Sequence, residues 1–526
     1  MKKKEVVLLG CMIGLLALNG CGNTKTVETD VFVTNDEVVT QTESAGMETE
    51  TTDVSQTTVE SEAEESRLPQ VVIENHEKTW KAEDGETVLF TLQYDSVKLA
   101  NDTFAELEKS LFNDFPEDRD ISAESDELEW AKSDYEYSMS ENGSGYFYGY
   151  DSTEKVSVER CDERILSLTE NYSGYTGGAH GYYGTTGYNY DVKSGAKLSI
   201  SDLLEKEDEF YKEASTYICK ELKEEYGDGL FPEYQETVEN AWNSEYPVNW
   251  YLNGTGIVVV YNPYEVGPYA MGQAQVTLPY AEFSQYIKEE FQMGKLTGVS
   301  SVSANVDLSN VVGVEQPIML KQEPVDEYYY ECEYTILSGE QEVALGQFNS
   351  YYYAFLLRRE DARSFLFVSL DYASDDYVSY VFELTDGNIQ KCEELENTCF
   401  LGNGFTQNEV RGEIHVDMLG TYGAKMQYAI LEDGSLEEAT QMCPVASYFE
   451  MTVTKDLPVT IDGKETTLPV GSKLSITGTN LVDTVTFETS DGITGSIQVT
   501  PDEENFGWLI DGISENEYFE MVPYAG

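Results

Sequence analysis

The chain has 526 residues, and its 98 Asp and Glu against 32 Lys and Arg give a formal net charge of −66. A surface of that sign repels phosphate backbones and anionic lipid, which excludes nucleic acid as a partner and suits cationic proteins, metal ions or a cationic wall component. Tyrosine, at 38 against 21 Phe and 5 Trp, supplies amphipathic rings that fit half-buried sheet faces and exposed recognition surfaces alike.

The first residues run Met1-Lys2-Lys3-Lys4, then a mostly apolar stretch from Val6 to Leu18, then Leu18-Asn19-Gly20-Cys21. A positive head and a short apolar core mark export, and the apolar run is shorter than the roughly 20 residues a spanning helix needs. The cysteine directly after Gly20, with Leu18 three positions before it, has the layout of a lipobox. Residues 1–20 are therefore expected to be a lipoprotein signal peptide, with Cys21 taking the lipid (diacylglycerol, palmitate) that anchors the chain to the outer face of a bacterial cytoplasmic membrane, facing the wall. Residues 21–68 are rich in Thr, Glu, Val and Ser with almost no aromatics. Such a segment cannot bury enough apolar surface to fold, and it reads as an extended, self-repelling, disordered linker.

A first folded domain is expected over residues 69–295. Short β-type runs flank Glu83-Asp84-Gly85-Glu86, a hairpin signal. Phe104, Leu107, Leu111 and Phe112 recur at helical spacing and predict a helix over 101–113. Strand character follows at 146–150, 164–172 and 184–192, helices at 207–225 and 237–242, strands at 257–261 and 274–278, and a last helix at 282–291. This order predicts an α+β domain with a mainly antiparallel sheet.

Two loops in it stand out. One is Tyr175-Thr176-Gly177-Gly178-Ala179-His180-Gly181, followed by Tyr190 to Leu198 and Ser201-Asp202-Leu203-Leu204. The other is Tyr261-Asn262-Pro263-Tyr264-Glu265-Val266-Gly267-Pro268-Tyr269-Ala270-Met271-Gly272, running into Val276-Thr277-Leu278-Pro279-Tyr280. In this order and spacing, residues 70–290 resemble the extracellular domain shared by lysozyme-sensing anti-sigma factors of the RsiV type and the non-catalytic N-terminal part of peptidoglycan deacetylases of the PdaC type. The resemblance implies a binding face for lysozyme or peptidoglycan. The chain departs from both types: a lipobox stands in place of the sigma-binding segment and membrane helix, and neither the Thr-Phe-Asp-Asp motif nor the paired histidines of the deacetylase is present.

Bottom-up, consecutive glycines let a backbone approach another surface closely, so Tyr175, Gly177, Gly178 and His180 of the first loop and Tyr264, Pro268 and Tyr269 of the second are the candidate binding residues. An alternative is that His180 and its glycines merely hold a loop under the sheet. The chain's three histidines, His76, His180 and His415, are too few for a histidine-rich metal centre. No metal or other cofactor is expected.

Residues 300–446 read as an all-β domain. Tyr-rich segments end at Gly339, Gly387 and Gly434, 48 and 47 residues apart, a period that fits propeller blades, although three units fall short of the usual ~4 to 8. A blade-like or sandwich arrangement is the reading. Residues 447–526 carry close-spaced strands around Asp462-Gly463, Pro469-Val470-Gly471 and Asp491-Gly492 and resemble a bacterial SH3-like barrel, with Phe487 where an exposed Trp would be expected. Beyond Cys11 and Cys21, six cysteines remain: Cys161 and Cys219 in the first domain and Cys332, Cys392, Cys399 and Cys443 in the rest. An even number outside the cell permits disulfides within each part without fixing their connectivity.

Gly-x-Ser-x-Gly, phosphate-binding, His-Glu-x-x-His and EF-hand patterns are absent, so no catalytic residue is named and the chain is not expected to be an enzyme. The function expected is non-enzymatic binding of a wall-associated protein or glycan at the cell surface. The alternatives are a cell-wall polymer hydrolase acting through an acidic pair and an accessory subunit of a surface assembly.

Overall fold

A computed structural model describes residues 68–524, apart from 120–125, 141–142, 243–247, 294–295, 326–330, 373–375, 446–448 and 504. The signal, Cys21 and the linker fall outside the described residues. Strand predominates over helix, in several mainly antiparallel sheets.

The sheet begins with the expected hairpin, β1 (Val71–Lys81) and β2 (Val88–Leu99). Asp84 builds its turn by accepting the backbone N–H groups of Glu86 and Thr87 at 2.9 and 2.8 Å. Helix α1 (Ala105–Asp114) follows, burying Leu107 and Leu111. A second helix, α2 (Asp126–Met139), was not legible in the sequence because its face towards β2 carries only Leu128 and Ala131 as buried residues among acids and serines. Strand β3 (Tyr150–Asp162) pairs parallel with β2, then antiparallel with β4 (Ile165–Tyr175), which pairs with β5 (Tyr182–Asp191). The strand expected at 146–150 forms only from Tyr150 onward, and Tyr146 and Tyr148 stand exposed before it.

After the one-turn α3 (Ile200–Leu203) come α4 (Glu207–Tyr226) and α5 (Tyr234–Ala241), close to the two helices expected. A small sheet of β6 (Asn249–Leu252), β7 (Gly256–Tyr261) and β8 (Ala274–Pro279) packs beneath α4. The last helix expected, 282–291, is replaced by single turns. Ile287 takes an extended conformation and bridges Leu204, while the Glu205 and Lys288 amides bond Tyr286 and Leu203 carbonyls at 2.9 and 2.8 Å, so strand-like pairing takes the groups a helix would use.

The chain then passes into β9 (Gly298–Ser301), four residues paired with β3 on one side and with β13 (Tyr352–Arg358) on the other. Through it the strands β1–β5 and the meander β13, β14 (Ser364–Asp371), β15 (Tyr377–Thr385) and β16 (Asn388–Glu396) form one ten-stranded sheet. Segments 69–295 and 300–446 thus share a sheet. Its meander is buried on both faces: along β14, Phe365 and Phe367 face one core while Leu366, Val368 and Leu370 face the other. That is why β14 reads as a continuous apolar run instead of an alternating one.

Two further meanders flank this one: β10 (Ile318–Pro324), β11 (Glu331–Ser338) and β12 (Gln341–Asn349); and β17 (Thr398–Phe400), β18 (Glu409–Asp417), β19 (Thr421–Ile430) and β20 (Leu436–Glu438). The glycines that suggested a repeat, Gly339, Gly387 and Gly434, each sit at a hairpin turn of one meander with φ of 56, 78 and 84°. The first two hairpins lie side by side, the Gln341 amide bonding the backbone of Ile389 in both directions at 2.9 and 3.0 Å.

The C-terminal part forms a seven-stranded sheet including the expected strands, here Leu457–Ile461, Lys473–Thr479, Thr484–Thr489 and Thr494–Gln498, and it does not close into a barrel. Phe487 is fully buried in its core, so it packs where an exposed ligand-facing ring was expected. Cys161 and Cys219 do not pair: Cys161 is buried in β3 and its thiol faces the Pro69 carbonyl at 3.4 Å, whereas Cys219 lies on α4.

The small sheet is keyed to β5 through polar side chains. Asn249 Oδ1 accepts the Gly187 amide at 2.9 Å and its Nδ2 donates to the Thr185 carbonyl, and Asn189 Nδ2 donates to the Trp250 carbonyl at 3.0 Å. Gly187 allows this approach, since a Cβ there would lie 2.0 Å from the Trp250 oxygen. The substitution Gly187→Ala is expected to push the two sheets apart and lower stability by about 1–3 kcal/mol, the usual cost of overpacking. Denaturant unfolding monitored by tryptophan fluorescence measures it; an unchanged midpoint would contradict this docking.

Candidate functional site

The two loops singled out in the sequence meet at one exposed surface. The first joins β4 to β5, where Gly177 and Gly178 take φ of 81 and 99°, a conformation that side chains disfavour. Tyr175 closes the loop by donating its hydroxyl to the Gly178 carbonyl at 2.9 Å. Gly177 also lies against Tyr150, whose hydroxyl would be 3.0 Å from a Cβ at that position; Gly178 faces open space.

The second loop joins β7 to β8 and is held by Asn262. Its Oδ1 accepts the Thr185 amide at 2.9 Å and the Gln273 side chain at 3.3 Å, while its Nδ2 donates to the Thr185 carbonyl at 3.2 Å. This two-point contact imitates a strand pair and pins the loop to β5, next to the first loop. Within it, Tyr264 adopts φ of 75°, its amide bonding the Gly267 carbonyl at 3.1 Å. Pro268 starts a single 3-10 turn over Tyr269–Met271, and the Met271 amide returns to the Pro268 carbonyl at 2.8 Å. Val266 and Met271 are buried beneath, which leaves Tyr264, Pro268 and part of Tyr269 at the surface.

Here the loops touch ring to ring. His180 stacks on Tyr269 with centroids 4.0 Å apart and planes 22° apart, Tyr183 meets Tyr269 edge-on at 5.5 Å, and Tyr264 lies 5.9 Å away. His180 Nδ1 is 2.8 Å from the Gly181 carbonyl, which can only accept, so in the neutral ring Nδ1 carries the proton. Nε2 is then the acceptor for the Tyr264 hydroxyl at 3.3 Å. The imidazole is thereby fixed in one tautomer and one orientation, with hydroxyl and carbonyl partners instead of the carboxylate that a catalytic base commonly uses. Among the described residues, no group of three or more His, Cys, Asp and Glu is arranged to hold a metal ion.

Around the cluster, burial raises the phenols of Tyr172 and Tyr182 and the carboxyl of Glu265 above their ordinary values. Burial together with Asp134 pushes Tyr150 up to about 12. Tyr150 donates to that Asp134 on α2, so the glycine loop is continuous with α2 and the segment after it. This neighbouring surface exposes Trp130 and Tyr137 on α2, and Tyr146 and Tyr148, which touch edge-to-face at 4.4 Å. Sequence reasoning missed these four rings; the run Tyr146-Phe147-Tyr148 was read as strand, and only its failure to pair exposes it. Aromatic faces among carboxylates suit a cationic side chain or a sugar ring.

Every candidate binding residue from the sequence, Tyr175, Gly177, Gly178, His180, Tyr264, Pro268 and Tyr269, therefore belongs to these two adjoining loops. Asn262, which brings them together, was read only as part of the motif.

Residues 201–281 match a family model described as a protein of unknown function (DUF3298). Among solved structures, the chain is similar to a member of the DUF3298 family from Bacteroides fragilis, with 20% identity over 43% of this chain and 96% of that one and a TM-score of 0.34. It is likewise similar to a DUF3298 family protein from Pseudomonas aeruginosa, with 19% identity over 43% of this chain and 97% of that one and a TM-score of 0.32. No curated protein matches the chain.

The fixed imidazole gives a direct test. Nitrogen NMR of His180 at alkaline pH is expected to show the Nδ1-protonated tautomer, and Tyr264→Phe, which removes the hydroxyl donor to Nε2, to shift the Nε2 resonance. An Nε2-protonated ring would show that the loops do not meet as described.

Proposed function

We propose that the chain is an exported lipoprotein, tethered through Cys21 to the outer face of the cytoplasmic membrane, whose two-loop surface binds a cationic, wall-associated protein of the lysozyme type. The observation that carries this reading is the ring cluster of His180, Tyr264 and Tyr269, in which the two motif loops meet at an exposed face. Residues 69–295 are taken as a domain of the RsiV and PdaC type, and residues 447–526 as an SH3-like module that spaces the binding face or adds a wall contact. The formal charge of −66 draws a cationic partner from a distance, and the aromatic faces accept lysine and arginine side chains at contact. With a lipid as the anchor, such a protein captures or shields without a direct route for signalling inward. No step of the reading requires bond-making or bond-breaking.

Immobilised full chain is expected to retain a cationic lysozyme at low salt and to release it as salt rises, because exposed charges are screened within about 8 Å at physiological ionic strength. The pair His180→Ala and Tyr269→Ala should weaken retention by about tenfold or more, as for an aromatic anchor at an interface. Failure to retain either lysozyme or purified peptidoglycan would overturn the binding reading. The anchor is tested separately: radiolabelled palmitate should enter the wild type in bacterial cells and be absent from Cys21→Ser, and equal labelling of both would overturn it.

A further inference from the structure

A second feature lies apart from the two loops, in the groove between α4 and α5. It is an open groove of about 730 Å3, a volume in the range of roughly 300–1,000 Å3 that small-molecule sites occupy. Its charge is unusual for this chain. Lys212, Lys220 and Lys223 line it from α4, at i, i+8 and i+11 along one flank of the helix, and Glu239 of α5 is the one carboxylate among its lining residues. Three cations therefore line one groove in a protein that carries 98 acids and 32 bases.

Two of these lysines already hold partners at the surface. Lys220 reaches Glu221 at 2.7 Å and Glu224 at 3.5 Å and lies 5.9 Å from the Tyr217 ring, while Lys223 donates to the Gly227 carbonyl at 2.8 Å and reaches the exposed Asp228 at 3.5 Å. Such solvent-exposed pairs hold weakly and exchange readily for a better-placed anion. Lys212 forms no ion pair with another described residue. The opposite character comes from Trp242, which stacks on Tyr211 at 5.2 Å and 17°, with its indole N–H fixed on Ser215 Oγ at 2.8 Å. Gln235 and the Tyr234 hydroxyl, 3.3 Å apart, add polar groups to the α5 wall. The groove thus pairs a rigid aromatic wall with lysines and neutral hydrogen-bonding groups.

We propose that this groove binds a small carboxylated sugar, its ring along the Tyr211–Trp242 wall and its carboxylate held by Lys212 and Lys220. An acidic sugar uses all three features together, whereas a simple anion would leave the aromatic wall and the amide idle. The site is independent of the two-loop surface and would stand if the lysozyme reading failed.

The test is calorimetric titration of the full chain with digalacturonate, and with its methyl ester as the uncharged control. Saturable binding of the acid but not the ester is expected. The double variant Lys212→Gln and Lys220→Gln should weaken it by about tenfold or more, since hydrogen bonds to charged groups are the stronger ones. Both lysines are exposed on the helix, and an unchanged circular dichroism spectrum shows that the fold is kept. Glu239→Gln, which removes the opposing charge, should tighten binding. No saturation by the acid, equal binding of the ester, an unaffected double variant or weaker binding by Glu239→Gln would each overturn the proposal.

Discussion

The ion pair between Arg160 and Asp162, wholly buried in β3, is the constraint on which the rest of the first half depends. Arg160 donates to Asp162 at 2.6 Å and, through its other arm, to the Tyr280 hydroxyl and the Phe291 carbonyl, each at 3.0 Å. The other oxygen of Asp162 accepts the amides of Arg164 and Ile165 at 2.7 and 2.8 Å, forming the turn into β4. One ion pair therefore fixes, through its carboxylate, where β4 begins and, through its guanidinium, where β8 ends. Those two strands carry the glycine loop and the tyrosine loop at their opposite ends, so both loops are referenced to one buried point. Losing either partner of such a pair leaves an uncompensated charge in the interior, a cost of about 3–5 kcal/mol.

The same strand explains why the sheet is continuous. Beside Arg160, β3 runs out of β2 to pair with, and the short β9 takes up the vacated edge, with Ser300 fully buried between β3 and β13. Four residues thus connect the half that carries the two loops to the half that carries the meanders. Because β13 to β15 are covered on both faces, α4, α5 and the small sheet lie on one side and α1 and the C-terminal sheets on the other, each with its own core.

From that frame the two-loop surface follows by polar keying. Asn249, Asn189 and Asn262 meet backbone groups that a sheet edge would otherwise leave open, and a glycine at 187 clears the space between them. The ring cluster is the result of that docking. It presents aromatic faces over an acidic chain, whereas the α4–α5 groove presents lysines beside an indole; the two surfaces are opposite in charge and suit different kinds of ligand.

The sequence alone determined the elements whose signals are local. The hairpin at Asp84, the helix packed through Leu107 and Leu111, the long helix at 207–226 and the turn glycines at 339, 387 and 434 depend on periodicity and on backbone conformations that near neighbours set. The candidate residues Tyr175 to His180 and Tyr264 to Tyr269 were legible for the same reason, as glycine, proline and tyrosine in short, unusual runs. Tertiary structure decided everything that depends on distant partners. Ile287 became extended because Leu204 pairs with it, α2 formed on a face too weakly apolar to be recognised, and Phe487 turned inward once its sheet had a core to fill. It also decided that His180 and Tyr269, 89 residues apart, stack on each other, since that contact rests on Asn262 and on a guanidinium buried at the far end of the strands.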